Sequence, residues 1–415
     1  MPVDERCYFG APGEFVTVRE LVIRGTNFEI GQIVARLAIE RYGRGPADFT
    51  CDPLFGRARR EYMRTHFPFH WERMRGVADA LGLDPADDNY DLTEIAYLTD
   101  LPMPPPGCSA VYYPPTTTAT GTGFLSRNYD FTIDSVADFM NIPLAAEERN
   151  KLRPIMSEPY VMIWHPTDGG YATLAVHAFD LLAGTLEGIN SAGLVVSILA
   201  DHTAINELGP GLDPHSGPAR AVGLHELAVM RLLLDTCSTA AQAKEALLGI
   251  KQFYSFAPLH YIIADRSGNS FAYEDSTSRN RQNIIDGGGG PQVLTNYQIH
   301  KYASPVAPPL KELNVENETY WRQKRLVDRI EAHTGPFTPA EMKAANACVS
   351  VGAIMNQIEP DHPLREVPSR TIWHSLYHQE PSRVEISSYL GEAFEPDGAY
   401  RERRSDYMTF VLDAS

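Results

Sequence analysis

The chain alternates between two textures of hydrophobic patterning. Residues 29–43, EIGQIVARLAIERYG, place Ile30, Ile33, Val34 and Leu37 at i, i+3, i+4 and i+7, one face of a helix. Residues 59–84 continue in helical spacing on either side of Pro68, and residues 91–101 read the same way, so the first hundred residues are predicted to be mostly helical. Beyond position 108 the pattern becomes β-branched and aromatic runs cut by glycine: 121–131, 160–179 and 186–201 read as strands and hairpins. Two helices follow at 217–237 and 238–250, the second opened by a Ser/Thr cap. Strands return at 259–276, around the turn DRSGN, and at 291–298, followed by a threonine-capped helix at 338–347 and a hairpin at 371–390 around QEPS. Helices, strands, helices, strands predict an α+β layered fold with helices outside packed sheets.

Composition changes this picture little. Of the 415 residues, 43% are hydrophobic and 21% charged, enough for a substantial core. The net charge of −17 excludes a phosphate-backbone partner as the default, because nucleic-acid binders carry basic patches. No basic stretch followed by an apolar run opens the chain, and no run is long enough to span a bilayer, so a cytoplasmic protein without membrane contact is expected. Cys7, Cys51, Cys108, Cys237 and Cys348 are odd in number, scattered and without a CxxC pair, which fits neither a disulfide framework nor a zinc site. The thirteen histidines include no HExxH. His66 and His70 stand four apart but are separated by the helix-breaking Pro68. There is no GxSxG elbow, and DGGGGP at 286–291 lacks the lysine and following helix of a phosphate loop. Neither a metal nor a cofactor is expected.

What remains is Cys108, preceded by the stiff run PMPPPG. Were the Gly107–Cys108 bond cut, Cys108 would own a thiol and an α-amine whose usual titration near 7.7–8.0 suits a general base at neutral pH. Such a site still needs charge support for the thiolate and ammonium, and donors for an oxyanion. SRNYD supplies Arg127 and Asp130 on the next predicted strand. On a regular strand these two face opposite ways, so a bulge or a strand end is expected there.

Cys108 followed by RNYDF (127–131), GINSAGLVVS (188–197), VLTNY (293–297) and YWRQKRL (320–326), with HYIIADRSGNSFAYE (260–274), resembles in order the N-terminal nucleophile (Ntn) hydrolases with a cysteine nucleophile. The likeness is to the penicillin acyltransferase and choloylglycine hydrolase type, and the acid ceramidase-like amidases share the same arrangement. The resemblance implies a four-layer α/β/β/α sandwich of two antiparallel sheets with outer helices. It also implies self-cleavage between Gly107 and Cys108, with Cys108 as nucleophile. Arg127 and Asp130 would then hold the thiolate and the ammonium, Asn190 and Asn296 would serve on the oxyanion side, and Arg322 would be the late arginine, with Arg325 the alternative one turn on. Residues 1–107 would stay as a helical companion to the catalytic domain at 108–415. The chain departs from the family pattern in PPPG before the cut, in a longer Cys-to-Arg hairpin, and in Trp321 where serine is usual.

The expected activity is cleavage of a linear amide of a small N-acyl substrate through an acyl-thioester on Cys108. The alternatives are transfer of the acyl group to an amine acceptor in natural-product metabolism, or a catalytically silent binding protein on the same scaffold. An ordinary thiol protease would need a histidine partner. The expected partners are the small-molecule amide, the amine acceptor and the chain's own cleaved segment; assembly into a homo-oligomer stays open.

Overall fold

The computed structural model describes residues 3–97, 107–139, 142–149, 151–208, 221–254, 258–276, 281–302, 318–394 and 400–413. The proline run at 104–106 and the end of the 91–101 stretch lie outside these.

The N-terminal segment holds two strands, β1 (Val3–Cys7) and β2 (Arg19–Gly25), ahead of helices α1 (Asn27–Tyr42), α2 (Pro53–His66) and α3 (Pro68–Leu81). A mostly helical segment was expected, and the strands are a correction. β1 shows solvent on nearly every residue and so carries no period to read, while β2 finds its partner some 140 residues away. Residues 91–97 likewise form no helix; Asp91 there turns the chain through its bonds to Thr93. The helices match their pattern. Thr26 and Glu29 form a capping box on α1, and Gly43 ends it in the left-handed conformation. α1 and α3 cross closely because Gly31 and Gly76 lack side chains: a Cβ would stand 2.0 Å from Arg73 O and 1.9 Å from Phe28 O, respectively.

After Gly107 the strands are β3 (Gly107–Tyr113), β4 (Phe124–Thr132), β5 (Tyr160–Pro166), β6 (Thr173–His177), β7 (Thr185–Asn190) and β8 (Val195–Ala200). A short parallel pair follows, β9 (Leu224–His225) with β10 (Gln252–Phe253). Then come β11 (Leu259–Ala264), β12 (Ser270–Ser276), β13 (Arg281–Asp286), β14 (Gln292–Leu294), β15 (Ser369–Gln379), β16 (Ser382–Phe394), β17 (Tyr400–Arg404) and β18 (Met408–Val411). Between them lie the short helices α4 (Val136–Phe139), α5 (Ala146–Arg149) and α6 (His202–Leu208), then α7 (Glu226–Thr236), α8 (Ala240–Gly249), α9 (Glu318–Glu331), α10 (Pro339–Ala347) and α11 (Val351–Met355).

Two sheets result. A nine-stranded sheet runs β1-β2-β5-β6-β7-β8-β11-β12-β13, and a seven-stranded sheet runs β14-β3-β4-β15-β16-β17 with β18 beside β16. All pairings within both are antiparallel except β2 with β5. The sheets face each other through β3 against β8 and β11, while α1, α7 and α8 cover the outer face of the first and α9–α11 that of the second. This is the four-layer sandwich that the resemblance implied. Strands buried on both faces explain why 160–166 and 195–200 read as continuous apolar runs.

The N-terminal segment is part of this sandwich. β2 runs parallel to β5 over seven paired residues. Arg73 of α3, buried, reaches Asp235 of α7 at 2.5 Å, Arg231 takes the other carboxylate oxygen at 2.7 Å, and both guanidinium groups lie within 5 Å of the Trp164 ring. Burial works to raise the Asp235 carboxyl, but the two arginines hold it below its usual range.

Candidate active site

Cys108 is the second residue of β3 and wholly buried. Its three polar atoms are each held by a different side chain. The backbone N–H donates to Asn296 Oδ1 at 2.8 Å. The carbonyl oxygen accepts from Arg322 Nη1. The thiol Sγ lies 3.4 Å from Arg127 Nη2.

Arg127 and Asp130 both lie on β4, the neighbour of β3, and no bulge in β4 is needed to use them. In register, Gly107 stands opposite Asp130, Cys108 opposite Tyr129 and Ala110 opposite Arg127. Alternation sends Arg127 and Tyr129 toward the other sheet, where Arg127 meets Glu187 and Ile198 O, and sends Asp130 toward the helical layer, where it faces Thr371 and Arg322. The strand thus addresses the thiol from one face and the Gly107–Cys108 bond from the other. The irregularity that does occur sits on β15 between Thr371 and Trp373, and it sets Thr371 against Asp130 and Trp373 against Tyr129. Glycine at 107 fits this packing, since a Cβ there would stand 3.2 Å from the Asp130 Cβ.

Asn296 follows β14, pinned by its N–H to Thr319 Oγ1 and by its carbonyl to the His202 N–H. Its Nδ2 donates to Ala200 O at 2.8 Å, while Oδ1 takes both the Cys108 N–H and Arg322 Nη2 at 2.7 Å. Those two donors fix which end of the amide faces the cysteine: it is the oxygen. An oxyanion donor was expected here; the side chain instead accepts from the group that would become the amine. Arg322, on α9, also donates to both oxygens of Glu318 one turn earlier. Arg325 points elsewhere, to Gln357 and over the Trp321 ring, so Arg322 is the late arginine of this site and Trp321 packs under the other.

Asn190 is not brought to Cys108. It closes β7 at the end of the sheet near Ser382, three residues and about 10 Å along the strand from Glu187. Its Nδ2 donates to Leu234 O and Cys237 O, and its Oδ1 accepts from the N–H groups of Ala192 and Leu194. All its capacity is spent on the β7–β8 turn and the end of α7, the ordinary use of asparagine in such a turn.

Electrostatics at the site oppose one another. Burial pushes the Cys108 thiol up, with Asp130 adding to the rise, while Arg127 and Arg322 pull it down; the net is upward. Burial pushes Asp130 up to about 7 despite Arg322 and the Thr371 hydroxyl at 2.6 Å. Burial works to raise Glu318 too, but Arg322 holds it below the usual carboxylate range. A cavity of about 320 Å³ opens beside these groups, with Gly107, Asp130 and Arg322 at one side and Phe131, Ile354 and Met355 along an apolar wall. Among the described residues, no group of three or more His, Cys, Asp and Glu could hold a metal ion.

Glu187, Glu318 and Thr371 escaped the sequence reading. Glu187 left a signal: a carboxylate within TLEGIN, in a strand otherwise buried on both faces, needs a cationic partner.

A family model described as acyl-coenzyme A:6-aminopenicillanic acid acyl-transferase matches residues 117–342, more than half of the chain. The chain belongs to this family. The span shared with the family holds Arg127, Asp130, Asn190, Asn296 and Arg322 and begins nine residues after Cys108. No curated protein sequence matches the chain. Among solved structures, penicillin V acylase from Agrobacterium tumefaciens is 18% identical and aligns over 68% of this chain and 82% of its own, with a TM-score of 0.42. A mutant of conjugated bile acid hydrolase from Clostridium perfringens is 14% identical over 74% of this chain and 97% of its own, at 0.45. The Caenorhabditis elegans N-acylethanolamine-hydrolyzing acid amidase ortholog is 14% identical over 74% and 100%, at 0.37. Such scores assign no substrate to this acyl-transferase family member. No helix among the described residues is long and apolar enough to cross a membrane.

Proposed function

We propose that this protein cuts its own chain between Gly107 and Cys108 and then works through Cys108 as an N-terminal cysteine amidohydrolase. The observation that carries the reading is the separate engagement of all three polar atoms of Cys108, by Asn296, Arg322 and Arg127. In the cut, Sγ attacks the Gly107 carbonyl carbon, the bond to the Cys108 nitrogen breaks, and the thiol proton ends on that nitrogen. Water then hydrolyses the thioester and leaves a Gly107 carboxylate, a free thiol and a free amine. The amine stays against Asn296 Oδ1 and takes the thiol proton in later turnovers.

The substrate carbonyl must occupy the place that the Gly107 carbonyl vacates, so the cavity lined by Gly107 receives the acyl group. Its volume of about 320 Å³ lies at the small end of the usual range for small-molecule sites, and its apolar wall suits an apolar acyl chain or aryl group. Exposure of the processed protein to a panel of N-acyl amides (β-lactam side chains, bile-salt conjugates, β-alanyl amines) is expected to leave an acyl mass on the chain that begins at Cys108. A processed, folded protein that acquires no acyl mass from any of them counts against the reading. The family's description as an acyl-transferase favours a second outcome for the same thioester, capture by an amine, and the ratio of acid to new amide when amine is added distinguishes the two.

Cleavage would leave residues 1–107 bound without a covalent link. The parallel pairing of β2 with β5 and the buried Arg73–Asp235 pair both cross between the pieces. The pieces are expected to elute as one native species and to separate only under denaturing conditions. Elution as two native species would rule out a retained companion chain.

A further inference from the structure

Resting on that reading of Cys108, we propose that Glu187 is the positioning residue of the thiol: it aims the Arg127 guanidinium at Sγ and balances its charge. Glu187 lies on β7 of the nine-stranded sheet, and Arg127 and Cys108 lie on the seven-stranded sheet opposite, all three fully buried. The carboxylate spends one oxygen on Arg127 Nη1 at 2.6 Å and the other on Trp373 Nε1 at 2.9 Å. Trp373 stacks on Tyr129 at 4.1 Å between centroids, and the Arg127 Cζ lies 4.7 Å from the same Tyr129 ring. A closed circuit of four side chains from β7, β4 and β15 therefore fixes the guanidinium plane. With Nη1 held by Glu187, Nη2 is directed to Ile198 O at 2.7 Å and to Sγ.

A fork held this way differs from a free cation. A planar guanidinium committed on one edge can present only its other edge, so the position of Glu187 sets the position of Nη2. Its negative charge also offsets the pull of Arg127 on a thiolate. Among the described residues, the other charged or titratable groups facing this region are Asp130 from β4 and Arg322 from α9 toward Cys108, Tyr129 from β4, and Tyr377 from β15 toward Glu187 and Arg127. Glu187 is the carboxylate in direct contact with Arg127.

Two variants separate aiming from mere structure, with the pH midpoint of the Cys108 thiolate's ultraviolet absorbance, taken as the difference from the matching Cys108→Ala protein, as the readout, since the buried sulfur then needs to meet no reagent. Glu187→Gln keeps the size and removes the charge, so the midpoint is expected to fall by about one pH unit, raising the thiolate fraction about tenfold at pH values below both midpoints. Glu187→Asp keeps the charge but withdraws it by one methylene, drawing Nη2 off the sulfur, so the midpoint is expected to rise. Shifts of opposite sign support the proposal. Midpoints that coincide with wild type, or that move in one direction in both variants, overturn it. If the glutamine variant does not fold, the aspartate variant decides alone: a rise supports, and no change or a fall overturns. The readout needs neither turnover nor the cut, so an uncleaved chain, which would sink the self-cleavage reading, still tests Glu187.

Discussion

Cys108→Ala is expected to give a single polypeptide of 415 residues on a denaturing gel, where the wild type gives pieces of 107 and 308 residues. Turnover of any N-acyl amide should fall by at least about a thousandfold, the scale set by removing a covalent nucleophile. Loss of folding is not the expected cause. The substitution removes one sulfur atom from a strand whose backbone pairings with β4 and β14 remain. Asn296 and Arg322 hold the backbone N–H and carbonyl of residue 108, which alanine retains. The variant should therefore match the wild type in circular dichroism while staying whole. Full-length bands of the same mass from both proteins would sink self-cleavage and leave the silent binding scaffold as the better reading. Two pieces from the alanine variant would assign the cut to a contaminating protease.

How much of this was readable in the chain differs from element to element. The succession of helices and strands was, because helices with one apolar face leave a period and strands buried on both faces leave continuous apolar runs, while the four layers came from the family resemblance and not from the pattern. β1 was not, since an edge strand exposed along its length has no period, and β2 needs a parallel partner that only the tertiary fold supplies. At the site, Cys108, Arg127, Asp130, Asn296 and Arg322 stand together, from β3, β4, the end of β14 and α9. The order of motifs placed Asn190 among them wrongly, because a turn asparagine and a site asparagine look alike in sequence; only its four bonds to the β7–β8 turn and α7 distinguish them. The apparent conflict between Arg127 and Asp130 came from assuming that both must reach one point. The thiol and the peptide bond of a residue on a strand lie toward different faces, and three-residue spacing suits that division.

Asp130→Asn carries the second large effect, and it acts in opposite directions on chemistry and stability. Burial holds the Asp130 carboxyl at about 7, well above the value near 3.9 expected in an unfolded chain. A carboxyl with a raised folded pKa stabilises the fold fully below the unfolded value and loses that contribution as pH rises to the folded value. At pH 8 the folded chain therefore bears a cost on the order of 2–4 kcal/mol, from about 3 units at 1.36 kcal/mol each as the ceiling. Asparagine imitates the protonated form, still accepts the Thr371 hydroxyl through its oxygen, and leaves Glu318 to balance Arg322. Measured on the uncleaved Cys108→Ala background, Asp130→Asn should raise the melting temperature by a few degrees at pH 8 and leave it unchanged near pH 4. With Cys108 present, the same substitution should slow self-cleavage by at least about a hundredfold, because an amide beside Gly107 neither takes up nor releases a proton near neutrality. A melting temperature that falls at pH 8 would show that the charged form of Asp130 is held by Arg322 more strongly than burial opposes it. Self-cleavage at the wild-type rate would remove Asp130 from the chemistry altogether.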